Sequence, residues 1–236
     1  EKALNDYNKA IELQPKYATA YNSRGILFDE RGDREMALRD YNKAIELDPK
    51  YAMAYNNRGI LFAQTGGIEA ALRDYNKAIE LDPKNAMAYN SRGVLFKDKG
   101  DREKALRDYT KAIELEPKYA MAYNSRGTLF KENGDREKAL RDYNKVIELD
   151  PKSAMAYANR AGIFGDKGDR EKALRDYSKA IELEPKFARI YTSRGILFKD
   201  NGDGEKALKD YNKAIELDPK YVMAYSNRGI LFAQIG

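Results

Sequence analysis

The feature that most constrains this chain is a sequence repeat with a period of 34 residues. One copy, Tyr119–Lys152, reads YAMAYNSRGTLFKENGDREKALRDYNKVIELDPK. A unit of this size buries its apolar side chains only against neighbouring units, so the fixed period predicts a solenoid. We expect a single array over 1–236, with a half copy at each end and six full copies, bounded as 1–16, 17–50, 51–84, 85–118, 119–152, 153–186, 187–220 and 221–236.

Each unit is predicted to form two helices. In the first full copy, apolar and small residues recur at spacings of three and four, which is typical of amphipathic helices and not of strands. Helix A is predicted over about Ala18–Arg31 and helix B over about Arg34–Leu47. Gly32 can close the turn in a left-handed conformation and Asp33 can cap helix B. Pro49 ends helix B, because proline donates no amide hydrogen bond and disfavours helix in the residue before it.

The composition argues against several classes of function. Cysteine and histidine are both absent, which removes thiolate and imidazole ligands and the commonest general base. No nucleophile–base set or metal cluster recurs, so we expect a non-enzymatic protein without a cofactor or metal. The 43 basic and 38 acidic residues alternate along each copy, whereas a nucleic-acid footprint needs basic residues on one surface. No apolar run approaches the length of a membrane span. We therefore expect neither nucleic acid nor membrane as a partner, and we favour a cytoplasmic location.

The unit also carries a family resemblance. It resembles the tetratricopeptide repeat over the whole chain, at the family's 34-residue period, in the positions of Tyr21, Gly25, Phe28, Ala37, Tyr41, Ala44 and Pro49. The resemblance implies an all-α fold, an α-solenoid coiled as a right-handed superhelix. In that fold the A helices line a concave groove and the B helices form the convex back. It also implies a non-catalytic scaffold that binds segments of other proteins in the groove.

The resemblance further implies which residues face the groove. In three successive A helices these are Met53, Asn56, Asn57, Ile60, Met87, Asn90, Ser91, Val94, Lys97, Met121, Asn124, Ser125, Thr128 and Lys131. Asparagine can donate to and accept from a peptide backbone, and methionine adapts to varied side chains. We therefore expect sequence-tolerant binding of an extended peptide, the alternative being ordinary solvated helix positions. The basic set with which some family members clamp a terminal carboxylate is missing, which disfavours chaperone tails as partners.

One departure from the family concerns an arginine in every copy. Arg24 and its equivalents stand on the apolar stripe of helix A, where the family often has leucine, and Asp40 and its equivalents stand on the stripe of helix B. An unpaired buried charge is costly, so we expect a ladder of arginine–aspartate pairs. Pairing each arginine with the aspartate of the preceding unit, as in Arg24 with Asp6, would satisfy all seven, and we favour that register.

Two further expectations come from differences between copies. In the copy 153–186, Ala161 replaces the recurring glycine, and Gly162 and Gly165 follow in the same helix. We expect a bare notch in the groove there and the weakest A helix, because glycine inside a helix is unfavourable. The sequence also begins with a B helix that lacks its A helix and ends with an A helix that lacks its B helix. Head-to-tail stacking of molecules through these faces is therefore the alternative function.

Overall fold

The computed structural model describes residues 1–235, and these residues form fourteen helices and no strand. The helices are α1 Lys2–Leu13, α2 Ala18–Glu30, α3 Arg34–Leu47, α4 Ala52–Gln64, α5 Ile68–Leu81, α6 Ala86–Asp98, α7 Arg102–Leu115, α8 Ala120–Glu132, α9 Arg136–Leu149, α10 Ala154–Asp166, α11 Arg170–Leu183, α12 Ala188–Asp200, α13 Gly204–Leu217 and α14 Val222–Ile235. Even-numbered helices are the predicted A helices and odd-numbered ones the predicted B helices. The first A helix ends at Glu30, one residue before the predicted end.

The helices are arranged in two compact units, Glu1–Ala122 and Tyr123–Gly236. In the first unit, α2 packs on α3, α4 on α5 and α6 on α7, and each A helix also contacts the preceding B helix. In the second unit the same holds for α10 with α11 and α12 with α13. Successive A helices touch each other in both units, as in α4 with α6 and α12 with α14. The predicted fold class, an all-α solenoid of paired helices, is confirmed.

The predicted turn between helices A and B is confirmed in detail. Gly32 has a φ of +80°, a left-handed conformation that favours glycine. Asp33 then accepts a hydrogen bond from the Met36 N–H at 3.2 Å and so caps α3. The same pair of residues closes most later hairpins, except that Gly67 leaves α5 without a side-chain cap.

A second glycine sets how closely the two helices of a hairpin approach. A Cβ atom on Gly25 would lie 2.7 Å from the Tyr41 ring, a distance that real Cβ atoms do not adopt. Tyr41 is only 1% exposed, and burial raises its pKa. The glycine therefore admits the tyrosine ring as the central packing element of the hairpin, and five of the hairpins share this contact, at Gly25, Gly59, Gly93, Gly127 and Gly195.

The arginine–aspartate ladder exists, but the register predicted from the sequence is wrong. Arg24 donates from Nε and Nη2 to the two carboxylate oxygens of Asp40, in its own repeat, at 2.7 and 2.8 Å. Its Nη1 donates to Asn8 Oδ1, on the preceding B helix, at 2.7 Å. The aspartate therefore comes from the same hairpin, whose two helices face each other most closely, and the preceding unit supplies a neutral asparagine instead of Asp6.

The same two-pronged pair recurs six times among the described residues, as Arg24–Asp40, Arg58–Asp74, Arg92–Asp108, Arg126–Asp142, Arg160–Asp176 and Arg194–Asp210. Each guanidinium also lies near two aromatic rings; that of Arg24 is 5.5 Å from the Tyr21 ring centre and 5.8 Å from that of Phe28. The hydrogen bond to Asp40 raises the pKa of Arg24 above its ordinary value, against the opposing effect of burial. These pairs therefore join the A helix of each hairpin to the B helix of the same hairpin.

Candidate functional site

The candidate site in each unit is the A-helix face, which we define as the side of that unit's A helices that points away from their B helices. In the first unit it carries a row of exposed apolar side chains: Met53 is 44% exposed, Met87 40%, Val94 37% and Met121 59%. Met87 and Val94 are seven residues apart, two helical turns, and so share one side of α6. Ile60, Ser91 and Lys97 are half-buried beside them.

The asparagines of this face are mostly turned inward. Asn56 and Asn90 are only 1% and 4% exposed, so a partner cannot reach their side chains as the helices stand. The Oδ1 atoms of both residues are buried without a hydrogen-bond partner among the described residues. Asn57 is 9% exposed and donates to Asn22 Oδ1, on the preceding A helix, at 3.0 Å. Of these three positions expected on the groove, Asn57 bonds to the preceding A helix, and the side chains of Asn56 and Asn90 are buried.

In the second unit, four of the expected site residues are half-buried on the A-helix face: Asn124, Ser125, Thr128 and Lys131. Asn124 Oδ1 accepts a hydrogen bond from Asn159 Nδ2 at 3.3 Å, which again joins two A helices. Thr128 Oγ1 lies 3.2 Å from the Tyr143 hydroxyl. These two residues therefore hold the scaffold together in addition to facing the surface.

The irregular repeat does form a notch at Gly162, but the notch is not bare. The Lys131 ammonium lies 3.2 Å from the position that a Cβ atom on Gly162 would take. On the next A helix, Arg189 stands at the place that methionine holds in the four repeats before it, and it lines a small cavity together with Lys131. Sequence reasoning missed Arg189, although aligning the copies would have shown the exchange of methionine for arginine.

Within residues 1–235, no three acidic, histidine or cysteine side chains come together in a way that would hold a metal ion. None of the helices described is long and apolar enough to cross a membrane.

Comparison with family models identifies the class of protein. A model described as TPR repeat matches residues 1–32, 27–66, 61–100, 162–202 and 197–236. A second, described as Tetratricopeptide repeat, matches 86–119 and 120–153. These matches cover nearly the whole sequence, and the chain belongs to the tetratricopeptide-repeat family. Proteins with this fold are generally protein-interaction scaffolds without catalytic activity.

Solved structures similar to this chain are tetratricopeptide-repeat proteins too. The Cut9–Hcn1 hetero-tetramer of APC/C matches with a TM-score of 0.88 and 17% identity, over 98% of this chain and 46% of the other. The chain thus spans less than half of that relative's length. PilF of Pseudomonas aeruginosa matches with a TM-score of 0.78 and 20% identity, over 90% of this chain and 96% of the other. At these identities the two likenesses show the fold alone.

A third similar structure is YrrB, described as a TPR protein with an unusual peptide-binding site. It matches with a TM-score of 0.59 and 25% identity, over 80% of this chain and 97% of the other. Among curated proteins, no sequence matches the chain.

Proposed function

We propose that the chain is a scaffold whose A-helix face binds an extended segment of a protein partner. The observation that carries the proposal is the row of exposed methionine and valine side chains at matching places on α4, α6 and α8. Burying such side chains against a partner is favourable, and methionine, which has three rotatable bonds, fits varied apolar groups. The described peptide site of YrrB supports the same kind of ligand.

The residues proposed to meet a partner are the accessible members of the set expected from the sequence. In the first unit these are Met53, Ile60, Met87, Ser91, Val94, Lys97 and Met121, with Asn57 at the edge of accessibility. In the second unit they are Asn124, Ser125, Thr128 and Lys131. Asn56 and Asn90 belong to the expected set, but their buried side chains would not contact a partner as the helices stand.

The test is selection of binding peptides from a random library displayed on phage, followed by titration of the best peptide. Replacing Met53 and Met87 together by Asp should weaken binding by at least about tenfold, because two buried apolar contacts, each of about 1–2 kcal/mol, are lost. The matched control replaces two exposed residues of the B helices, Arg73→Glu and Arg107→Glu. Equal loss of binding in the control, or a melting temperature lowered only by the methionine changes, would contradict the proposal.

A second candidate function, self-assembly, is favoured by the uncovered faces of α14 and α1. A Cβ atom on Gly229 would meet nothing within 4 Å, unlike the equivalent glycines that face a tyrosine. Arg228 donates to Asn212 at 2.7 Å and contacts no carboxylate among the described residues. Helix α1 offers the complementary pair, Asp6 and Tyr7, and has no buried residue. In the 236-residue chain, α14 of one molecule would then pack on α1 of another, with Arg228 facing Asp6.

Sedimentation of the 236-residue chain over a range of concentrations tests this candidate. The apparent mass should rise with concentration in the wild type and should rise less in Arg228→Asp. Combining Arg228→Asp with Asp6→Arg should restore association, because the pair is then reversed and not lost. A wild type that stays monomeric at all concentrations would refute stacking and leave peptide binding untouched.

A further inference from the structure

One joint of the second unit has weaker polar links than the joint before it, where a joint means the contacts between one hairpin and the next. It lies between the hairpins α10–α11 and α12–α13. Three kinds of link are compared at the two joints. The first runs from an arginine to the preceding B helix, the second joins successive A helices, and the third is the loop that connects helix B to the next helix A.

The first link spans the gap between successive B helices, which in the described part of each unit do not pack on each other directly. Arg160 of α10 donates from Nη1 to Asn144 Oδ1 of α9 at 2.7 Å. At the next joint the equivalent of that asparagine is Ser178, and Arg194 Nη1 donates to its Oγ at 3.1 Å. The shorter serine side chain therefore leaves a longer and weaker bond between α11 and α12.

The second link joins successive A helices. Asn159 Nδ2 of α10 donates to Asn124 Oδ1 of α8 at 3.3 Å, which ties α10 to the A helix before it. The equivalent pair between α10 and α12 is Ala158 and Ser193, which cannot form an amide bond. Ser193 interacts with the Tyr177 hydroxyl of α11 instead. The direct polar link between the two A helices is thus lost at this joint.

The third link is the loop between helix B and the next helix A. Before α10, the Lys152 N–H donates to Asp150 Oδ1 at 3.0 Å, a local bond for which aspartate has the right length. Before α12, Glu184 replaces the aspartate, and the described chain shows no bond from the Lys186 N–H to its side chain. The backbone bond that closes the loop is 3.1 Å long before α10 and 3.4 Å before α12. The loop is therefore the looser of the two.

Two cavities adjoin the same joint and leave room for movement. One, of about 490 Å³, opens at the loops, and a smaller one of about 50 Å³ lies between α10 and α12; both are bordered by Met155 and Phe187. Close packing normally holds neighbouring helices in one arrangement, and cavities relax that constraint. The remaining packing is largely apolar, as in the contacts of Ile190 with Ala161. Apolar contacts have no preferred bond angle, so they permit small rotations.

The hairpins on either side of the joint are firmly held within themselves. Arg160 pairs with Asp176 at 2.6 Å, and Arg194 pairs with Asp210 at 2.8 Å. Helix α14 packs on α13 through Leu231, which is 2% exposed. Movement at the joint would therefore leave α10–α11 and α12–α14 each unchanged inside.

We propose that this joint is a hinge, at which α12–α14 rotates as one body relative to α10–α11. The rotation changes the spacing between Met155 and Arg189, which occupy equivalent exposed places on α10 and α12. The A-helix face of the second unit thereby adjusts to segments of different bulk. The hinge goes beyond the proposed function, because it operates whether or not a segment is bound.

Distances between two spin labels, measured by double electron–electron resonance, test the hinge; the chain has no cysteine of its own to interfere. One label pair, at Arg175→Cys and Lys209→Cys, spans the joint from exposed places on α11 and α13. The matched control pair, at Arg141→Cys and Arg175→Cys, spans the preceding joint at the same places of the repeat. We expect the distance distribution across the hinge to be about twice as broad as across the control joint. Equal widths would overturn the proposal.

A repaired joint gives a second test of the same proposal. The repair installs the residues of the preceding joint, as Ser178→Asn, Glu184→Asp, Ala158→Asn and Ser193→Asn. The distribution across the hinge should then narrow to the width of the control joint. A repaired variant that retains its helix content and its broad distribution would refute the hinge.

The converse exchange decides the question if the repaired variant does not fold. It gives the control joint the residues of the hinge, as Asn144→Ser, Asp150→Glu, Asn124→Ala and Asn159→Ser. The distribution across the control joint should become about as broad as that across the hinge. An unchanged width would show that these residues do not set the freedom of the joint and would overturn the proposal, whereas peptide binding by the A-helix face would be unaffected by either result.

Discussion

The hairpins α6–α7 and α10–α11 have the same frame, by which we mean the arginine–aspartate pair and the turn between the helices. They differ in the side chains that pack between the two helices. Arg92 contacts Asp108 at 2.8 Å and Arg160 contacts Asp176 at 2.6 Å, so the charged pair is the same in both. The glycine against the tyrosine ring is present in the first, as Gly93, and replaced by Ala161 in the second.

The consequence of that replacement is small. Tyr109 is fully buried, whereas Tyr177 is 8% exposed, and α10 nevertheless keeps the same thirteen residues of helix as α6. The comparison shows that the arginine–aspartate pair and the turn set the frame, while the tight glycine contact can be relaxed. The volume lost at Ala158 and Gly162 then becomes available on the A-helix face.

The largest effect on stability should come from removing the aspartate of the arginine–aspartate pair that both hairpins contain. Asp108→Ala and Asp176→Ala should each lower the free energy of unfolding by about 2–4 kcal/mol, because a mostly buried guanidinium loses its carboxylate. The estimate lies below that for a fully buried pair, since the Arg92 and Arg160 side chains are 20% exposed. Urea unfolding followed by circular dichroism measures the effect.

The control replaces both members of the pair by apolar residues, as in Arg92→Met with Asp108→Leu. This double variant should be clearly more stable than Asp108→Ala, because no charge is left unpaired. Costs that differ by more than about 2 kcal/mol between the two aspartates would show that the frames are not equivalent.

The next largest effect concerns the replacement of a glycine by alanine, which should change the free energy of unfolding with opposite signs in the two hairpins. Gly93→Ala should destabilise by roughly 1 kcal/mol, since its Cβ atom would lie 2.8 Å from the Tyr109 ring and the overpacking exceeds the gain in helix propensity. Gly165→Ala should stabilise by about 0.5–1 kcal/mol, because the nearest atom, Leu197 Cδ1, is 3.9 Å away. Two changes of the same sign would contradict this account of the packing.

A smaller difference is expected in how often the helices α6 and α10 open locally to solvent. Two glycines within α10 should make the amides of Ala154–Asp166 exchange with solvent faster than those of Ala86–Asp98. Native-state hydrogen exchange measured by NMR tests this. Equal or slower exchange in α10 would show that the frame alone sets the stability of the helix.

At the N-terminal caps of the two B helices, we expect no difference between the pKa values of the capping aspartates. The Lys104 ammonium and then the Lys104 backbone N–H hold the pKa of Asp101 below its ordinary 3.8, and Lys172 acts in the same way on Asp169. A carboxylate whose pKa is lowered on folding stabilises above about pH 4, and the contribution is lost as the pH falls through the folded-state pKa. Carbon NMR titration of the two carboxyl groups should give matching midpoints, and distinct midpoints would contradict a shared cap.

Local sequence was sufficient to predict the helices and turns of this protein. Gly32 and Asp33 close the turn and Pro49 follows the second helix, because these preferences act within a few residues of one another. The family could likewise be predicted, since the repeat places equivalent residues at equivalent places. Ala161, Gly162 and Gly165 marked the irregular repeat for the same reason.

The tertiary structure decided what each side chain contacts. Arg24 pairs with Asp40 and not with Asp6. The side chains of Asn56 and Asn90 are buried, and the Lys131 ammonium lies beside Gly162 of the following repeat. These outcomes depend on contacts between residues that lie 16 or more positions apart in sequence, and a repeat leaves several partners equally possible at that range. The sequence by itself determined which helices form, and the packing between them determined which residues are buried and which a partner can meet.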